Sequence, residues 1–542
     1  MAERVTIRVD GVEYEVESGR TILQALDDCG VLTNEVEIPH YCWHPKLSID
    51  GSCRLCQVEV RTEGRAEGLL QIACNTPVAG AMVIETKSEK VRAAREGVME
   101  LLLVNHPLDC PICDQAGECK LQDYAYDYGV SEARTREPRR ALKKRVDLGP
   151  TVVLDQERCI LCRRCVRFCR EVSETGELGI FDRGERSVLE TFPGVPLEND
   201  YSMNVADLCP VGALTTKDFR FKMRVWLLED SEGICTGCSR GCNLYVGVAK
   251  NAVQRYLPRR NDAVNETWLC DAGRLSYKQV AREDRLARCR VRSPQRESGE
   301  PGELVETSVA EAVEAAAIRL RALIASRGAG VIAGVASPHA SNEDLFLFKC
   351  FLDALQTEIR GLAVLHGESD RLLVEAEKGA NATGARAIGF GEVGRIVERI
   401  RGGGLDGLIV LGHDLLDDAY LGGSQALSRL DTVIALDSHC SAMDRVAHVV
   451  FPVRHAVEKN ATYTNSAGRV QRVRAGITPG PDVLDEGEIF SKLGRALGLT
   501  GFQAEWDVWE ASRRLGREVP AFRGIDLDSA GSRGRALVGP GD

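Results

Sequence analysis

Residues 158–170 read Arg-Cys-Ile-Leu-Cys-Arg-Arg-Cys-Val-Arg-Phe-Cys-Arg, and within them Cys159-x2-Cys162-x2-Cys165 is the bacterial four-iron signature. Cys209, followed by Pro210, supplies the remote fourth thiolate. Cys169 extends the run to C-x2-C-x2-C-x3-C, and in a two-cluster ferredoxin that residue would serve the other cluster. No second CxxCxxC stands in residues 150–225, so Cys169 is expected to be an unliganded core thiol. Arg158, Arg163, Arg164, Arg167 and Arg170 crowd the motif. Cubanes with four thiolates carry net negative charge, so nearby guanidiniums should stabilise the reduced form and raise its potential.

Three further four-ligand sets flank this one. Cys42 stands ahead of Cys53-Arg-Leu-Cys56, and Cys74 follows later. Plant-type two-iron sites use C-x4-C-x2-C…C; here the first gap is longer, but the CxxC and the distant fourth ligand are kept. Gly51 suits a loop whose amides must approach sulfur, and His44 in the same loop reads as a surface or packing residue. A zinc knuckle is the alternative. His106, Cys110, Cys113 and Cys119 form HxxxCxxCxxxxxC, four ligands in fourteen residues, enough to wrap one cubane. Alone, His106 would read as a core histidine; three cysteines in step make it a ligand. Exchanging a thiolate for a neutral imidazole raises the potential of two-iron centres, and the same sign is expected here. Cys235-x2-Cys238-x3-Cys242 with Cys270 is the last set, and a structural zinc site is its alternative. Fifteen of the 20 cysteines thus fall into four sets. Four clusters on one polypeptide read as stations for electrons moving between partners.

Composition agrees. The 542 residues should divide into about three to five domains. A hydrophobic share of 44% with 27% charged is ordinary for a globular protein. No apolar run is long enough to span a membrane, and MAERVTIRVD is not a signal peptide, so a cytoplasmic location is expected. There, many cysteines point to metal rather than disulfides. The net charge of −11 argues against nucleic acid as a partner. One basic run, Arg134, Arg136, Arg139, Arg140, Lys143, Lys144 and Arg145, is either a solvated linker face or a docking strip for an acidic subunit.

The alternating RVTIRV and VEYEVE around Asp10-Gly11 predict a hairpin, and Thr21-Ile-Leu-Gln-Ala-Leu a short helix. Hairpin, helix and cysteine loop together resemble the β-grasp fold of plant-type ferredoxins. Residues 88–104 carry a helical period behind a Ser cap and deliver the chain to His106. Residues 284–308, polar and rich in Gly, Pro and Arg, read as a linker. Beyond them residues 310–325 are helical, and VIAGVA, LIVLG, TVIAL and AHVVFPV alternate with helical segments, which predicts an α/β domain with a largely parallel sheet.

Some residues are decoys. Gly389-Phe-Gly391-Glu-Val-Gly394 matches GxGxxG, but NATGARA before it is no buried strand, so a loop at a helix start is expected rather than a dinucleotide site. No Walker loop or HExxH occurs, and no catalytic residue is assigned. Cys350 lies on an apolar helix face and reads as core, not as a molybdenum ligand. Cys29, Cys289 and Cys440 read as packing residues.

IPHYCWHPKLSIDGSCRLCQVEV, NHPLDCPICDQAGECKLQD, ERCILCRRCVRFCRE and DLCPVGAL resemble the G (75-kDa) subunit family of respiratory NADH:quinone oxidoreductase, complex I. The likeness is dense over residues 1–280 and looser through VIAGVASPHASNEDLFLF and FPVRHAVEKNATYTNSAGRVQ. The resemblance implies one 2Fe-2S cluster at Cys42, Cys53, Cys56 and Cys74. It implies 4Fe-4S clusters at His106, Cys110, Cys113 and Cys119, and at Cys159, Cys162, Cys165 and Cys209. A further 4Fe-4S cluster, off the main path, is implied at Cys235, Cys238, Cys242 and Cys270, whose spacing also resembles the cluster that opens molybdopterin enzymes.

The expected architecture is multidomain, α+β then α/β. A two-iron β-grasp domain (1–84) leads. A helix with the four-iron site of one histidine and three cysteines (85–146) and a bacterial-ferredoxin-like domain (147–227) follow. A four-iron cap (228–284), the linker (285–308) and a molybdopterin-oxidoreductase-like α/β domain (309–542) complete it. The roughly 270 residues after Cys270 are short for the family and for a bulky molybdopterin, so no molybdopterin is expected. Implied partners are a flavin/NADH-binding subunit and the ferredoxin-like and quinone-site subunits of a peripheral arm. That arm lies on the inner face of the cell membrane, and membrane contact is made only through the complex. The alternatives are the equivalent subunit of a soluble NAD-linked hydrogenase or formate dehydrogenase, and a zinc-stabilised scaffold with no redox role.

Overall fold

In the computed structural model, the alternation in Arg4–Val9 and Val12–Glu17 closes an antiparallel hairpin, with Asp10 at φ 48° and Gly11 at φ 88° in its turn. Both turn residues take left-handed φ, which Asp and Gly tolerate at little cost. The structure describes residues 3–32, 35–62, 67–132, 134–294 and 302–539. These fall into two compact units, Met1–Leu227 and Leu228–Asp542.

In the first unit the hairpin joins a five-stranded sheet in which Met82–Glu85 lies parallel to Arg4–Val9 and pairs on its other side with Gln57–Arg61, which in turn pairs with Leu69–Ile72. Thr21 starts the helix Ile22–Asp28 with a reciprocal capping box to Gln24, satisfying donors that would otherwise be orphaned. Ile22, Leu23 and Leu26 of that helix pack on Ile7, Val9, Val58 and Ile84 of the sheet, and Cys56 and Cys74 belong to the same core. This is the β-grasp architecture. Ser88 caps the helix Glu89–Leu103, which is followed by a single 3-10 turn, Cys110–Ile112, and the helix Lys120–Tyr128. The ferredoxin-like part sets the helix Arg164–Glu171 beside Asn204–Leu208, with Val152–Leu154 and Leu214–Thr216 paired antiparallel.

The second unit opens with a three-stranded antiparallel sheet, Glu229–Ile234, Asn243–Ala249 and Ala252–Pro258. Its main sheet has eight strands. Six run parallel in the spatial order Val449–Pro452, Thr432–Asp437, Gly407–Leu411, Ile332–Ala336, Arg360–Leu362 and Gly391–Glu392. Strands such as Ile332–Ala336 and Gly407–Leu411 are buried at every position, as a sheet covered on both faces requires.

One expectation needs correction. The stretch read as a linker, 285–308, contributes two strands, Cys289–Arg292 and Leu304–Thr307, which pair with each other and extend the sheet antiparallel through Val449–Pro452. Arginines at alternate positions disguised the first of them. Arg290 and Arg292 reach Asp444 Oδ2 and Ala447 O, leaving Cys289 at 1% exposure on the apolar face. The seven residues 295–301 lie outside the described residues. At the GxGxxG decoy, NATGARA supplies all but the last residue of the helix Ala382–Ile388, and Gly389 is its C-cap at φ 117°. Cys29, expected to pack, is exposed. No helix among the described residues is long and apolar enough to cross a membrane.

Candidate metal centres

The first set sits at the edge of the β-grasp core. Cys42, Cys56 and Cys74 are at most 1% exposed, and Cys53 is half-buried. Their thiols touch: Cys42 shares sulfur hydrogen bonds with Cys53 and Cys74, and Cys56 with Cys74. Those contacts push Cys42 and Cys56 below the usual thiol range and Cys53 and Cys74 above it. Gly51 at φ 68° and Arg54 at φ 58° coil the loop, and Tyr41 donates its backbone N–H to Cys53 Sγ at 3.4 Å. Four sulfurs converge with an amide aimed at them.

Cys159, Cys162, Cys165 and Cys209 line a single pocket with apolar walls that include Ile160, Leu161, Val211 and Leu214. Left-handed φ at Leu161 (53°) and Arg163 (61°) winds the CxxCxxC loop around it. Burial raises the thiols of Cys159 and Cys209 to about 12, and raises Cys162 and Cys165 as well. Such thiols stay protonated in water and become thiolates only against a positive centre. Cys169, at 0% exposure, does not line this pocket.

Of the second set, His106, Cys110 and Cys119 line one groove. Cys113 is buried beside it, where its Sγ would lie 2.3 Å from a Cβ built on Gly212. Only glycine fits there. Burial, aided by the charge of Arg158, lowers His106 to about 4, so its imidazole is neutral and keeps a lone pair at pH 7. Asp109 anchors the neighbourhood, pairing with Lys144 at 2.5 Å and Arg158 at 3.1 Å. Lys144 also pairs with Glu157 at 2.6 Å, and Arg134 with Glu100, so part of the basic run is used within the unit.

These three sets are laced together. Arg164 donates to Trp43 O, beside Cys42, and to Leu208 O, beside Cys209. Cys119 Sγ donates to Pro210 O at 3.8 Å, the residue after Cys209. Tyr41, fully buried, reaches Lys120 O at 3.5 Å, next to Cys119. The third set adjoins both others, an adjacency that sequence order hides.

The fourth set lies in the second unit. Cys235 and Cys242 are buried and Cys238 and Cys270 half-buried. Cys270 caps the helix Asp271–Leu275, its Sγ accepting from Gly273 N at 3.3 Å. A Cβ on Gly273 would approach Cys235 Sγ to 3.0 Å and Cys270 Sγ to 3.1 Å, which brings those two sulfurs to one spot. Gln471 donates to Gly241 O at 2.8 Å and Asn465 to Arg240 O at 3.3 Å, clamping the loop 238–242. Burial raises Cys235 to about 12 and Cys242 well up. Among the described residues, no three His, Cys, Asp or Glu side chains close to the spacing of a single metal ion. Sequence reading missed Tyr41, Gly212, Gly273, Asn465 and Gln471; the glycines follow cysteines closely in CPVG and CDAG, which is the one local signal they offered.

Family models match the chain in sequence. A 2Fe-2S iron-sulfur cluster binding domain covers residues 2–89 and the NADH-ubiquinone oxidoreductase-G iron-sulfur binding region 95–134. The ferredoxin-like domain of NADH-quinone oxidoreductase subunit 3 covers 149–215, and an NDSU1/NuoG-like 4Fe-4S domain 234–278. A molybdopterin oxidoreductase model covers 365–496. Fold and sites thus define a protein built of 2Fe-2S- and 4Fe-4S-binding domains ahead of a molybdopterin-oxidoreductase-like domain. Through its cluster-bearing part the chain is similar to the G (75-kDa) subunit of NADH-quinone oxidoreductase. The G subunit of that enzyme from Rickettsia conorii is 38% identical over 351 residues, covering 65% of this chain and 49% of the relative. The NADH-ubiquinone oxidoreductase 75 kDa subunit of Reclinomonas americana is 43% identical over 290 residues, 54% of this chain and 40% of that one. The G subunit from Streptomyces coelicolor is 39% identical over 333 residues, 61% of this chain and 37% of that one. The matched region spans half or less of each relative. A chain of a solved NAD+-reducing [NiFe]-hydrogenase shares 31% identity over 41% of this chain and 91% of that one, at a TM-score of 0.35.

Proposed function

We propose that this chain is the electron-transfer subunit of an NADH:quinone oxidoreductase, carrying electrons singly from a flavin subunit toward quinone. Cys42, Cys53, Cys56 and Cys74 would hold a 2Fe-2S cluster; the other three sets would hold 4Fe-4S clusters, with His106 as the one nitrogen ligand. Bound there, iron–sulfur clusters supply one-electron oxidation and reduction. The chain's own residues do the rest. Neutral His106 presents a lone pair without adding negative charge. Apolar walls at Ile160, Leu161 and Val211 exclude water, and amides such as Tyr41 N donate to sulfur, both of which tune potential.

The observation that carries this reading is the lacing of three sets through shared residues, since electron tunnelling decays exponentially with distance. The third set would be the middle station. The fourth set, in the second unit, would stand off the path, and the α/β domain would bind no molybdopterin. No substrate is converted on this chain itself; partners would be the flavin, ferredoxin-like and quinone-site subunits of a peripheral arm on the inner membrane face. Replacing one ligand of the third set tests this. Cys162→Ala in the assembled complex is expected to abolish NADH:quinone activity while sparing NADH oxidation by artificial acceptors at the flavin. Unchanged quinone reduction would remove this set from the path.

A further inference from the structure

Among the described residues, Arg164 and Arg167 form no ion pair with a carboxylate, and Glu171 acts on Arg167 only from beyond that distance. Arg164 Nη2 donates to Trp43 O at 2.6 Å and Nη1 to Leu208 O at 3.3 Å. Arg167, 3% exposed, donates to Cys42 O and Ser48 O. The Nε of each is buried without a hydrogen-bond partner. Their neighbours differ: Arg163 pairs with Asp50 at 3.7 Å and Arg170 with Glu171 at 3.0 Å. Arg158, on the side of the second set, pairs with Asp109 at 3.1 Å and Asp155 at 3.3 Å. Among the described residues, neither Arg164 nor Arg167 has a carboxylate within ion-pair distance.

A guanidinium taken out of water with only carbonyls for company is strongly unfavourable unless negative charge lies near. Here the groups near Arg164 that would carry negative charge as cluster thiolates are Cys162 of one set and Cys53 and Cys42 of another. Arg164 and Arg167 belong to the helix Arg164–Glu171, which carries Cys165, yet their hands close on the backbone beside Cys42 and Cys209.

We propose that Arg164 and Arg167 form one counter-cation pair shared by the first and third clusters, so that the same two charges set both potentials. This rests on the ligand assignment above. When an electron passes from the first site to the third, the first is oxidised by one electron and the third reduced by one. The total negative charge facing the pair is unchanged, and no proton or ligand has to move. Removing one guanidinium therefore destabilises the reduced state of both sites in the same direction. The difference between their potentials, which drives the hop, changes less than either potential.

The test is a redox titration, followed by EPR, of the assembled complex carrying Arg164→Gln or Arg164→Lys, with Arg163→Gln as the exposed, carboxylate-paired control. The expected result is that Arg164→Gln lowers the midpoints of both signals together, Arg164→Lys restores both, and Arg163→Gln moves them less. A shift of the third site alone, or of neither with both clusters loaded, overturns the proposal. Should Arg164→Gln fail to load clusters, Arg167→Gln decides in its place: joint movement of both midpoints supports sharing, and divergence of the two, or movement of neither, overturns it. Wild-type protein lacking either signal overturns the ligand assignment, and the proposal with it.

Discussion

The three cysteine sets of the first unit and the single set of the second have similar ligands in unlike settings. In the first unit each set touches another through a shared segment: Arg164 and Arg167 from third to first, Pro210 and Gly212 from third to second, Tyr41 from first to the helix behind Cys119. The fourth set is gripped by its own unit, through Gln471, Asn465 and Gly273. A site wired to its neighbours by backbone and buried cations suits electron relay. A site clamped by a large α/β domain suits anchoring of the loop that holds it.

The largest effect separating the two regions should come from Gly212→Ala, because the new methyl would overlap Cys113 Sγ at 2.3 Å. Loss of the second site's EPR signal with perturbation of the third is expected, the fourth being untouched. Normal spectra at all sites would break the claim that the sets are laced through residues 209–212.

The second unit has a stability device of its own. Glu343, 0% exposed, accepts from Thr462 N, Thr462 Oγ1 and Ser512 Oγ, each at 2.8 Å, yet burial pushes its carboxyl up to about 7. The unfolded chain releases that proton near ~4.3, so between there and ~7 the folded state binds more protons. The contribution is present below the unfolded value and is lost as pH rises through the folded one. The stability of the second unit should fall by roughly 2 kcal/mol from pH ~5 to pH ~7, and Glu343→Gln should flatten that slope. A wild-type profile already flat across this range would contradict the burial argument.

Gln471→Ala should have the smallest effect, about 1–3 kcal/mol from losing one buried hydrogen bond to Gly241 O. A changed line shape at the fourth site alone is expected in EPR; a change at the first three would mean the regions are not independent.

Much of this was legible because it is local. The hairpin announced itself by alternation around Asp10-Gly11, and the cysteine sets by short spacings. What escaped was set by residues distant in sequence. Cys289–Arg292 hid its apolar alternation behind arginines that find Asp444 and Ala447 only in the folded sheet. Tyr41 and Gln471 look ordinary until the chain brings Lys120 and Gly241 to them. Arg164 was visible as one of five arginines around a motif, but its lack of a carboxylate, which distinguishes it from Arg163, exists only in three dimensions.

The most direct test of the central claim is iron and acid-labile sulfide analysis of anaerobically purified protein, with EPR after dithionite reduction. One two-iron and three four-iron clusters predict about 14 irons per chain, with distinct signals from the laced sites. Zinc in place of iron, with no absorbance that bleaches on reduction, would contradict electron transfer altogether.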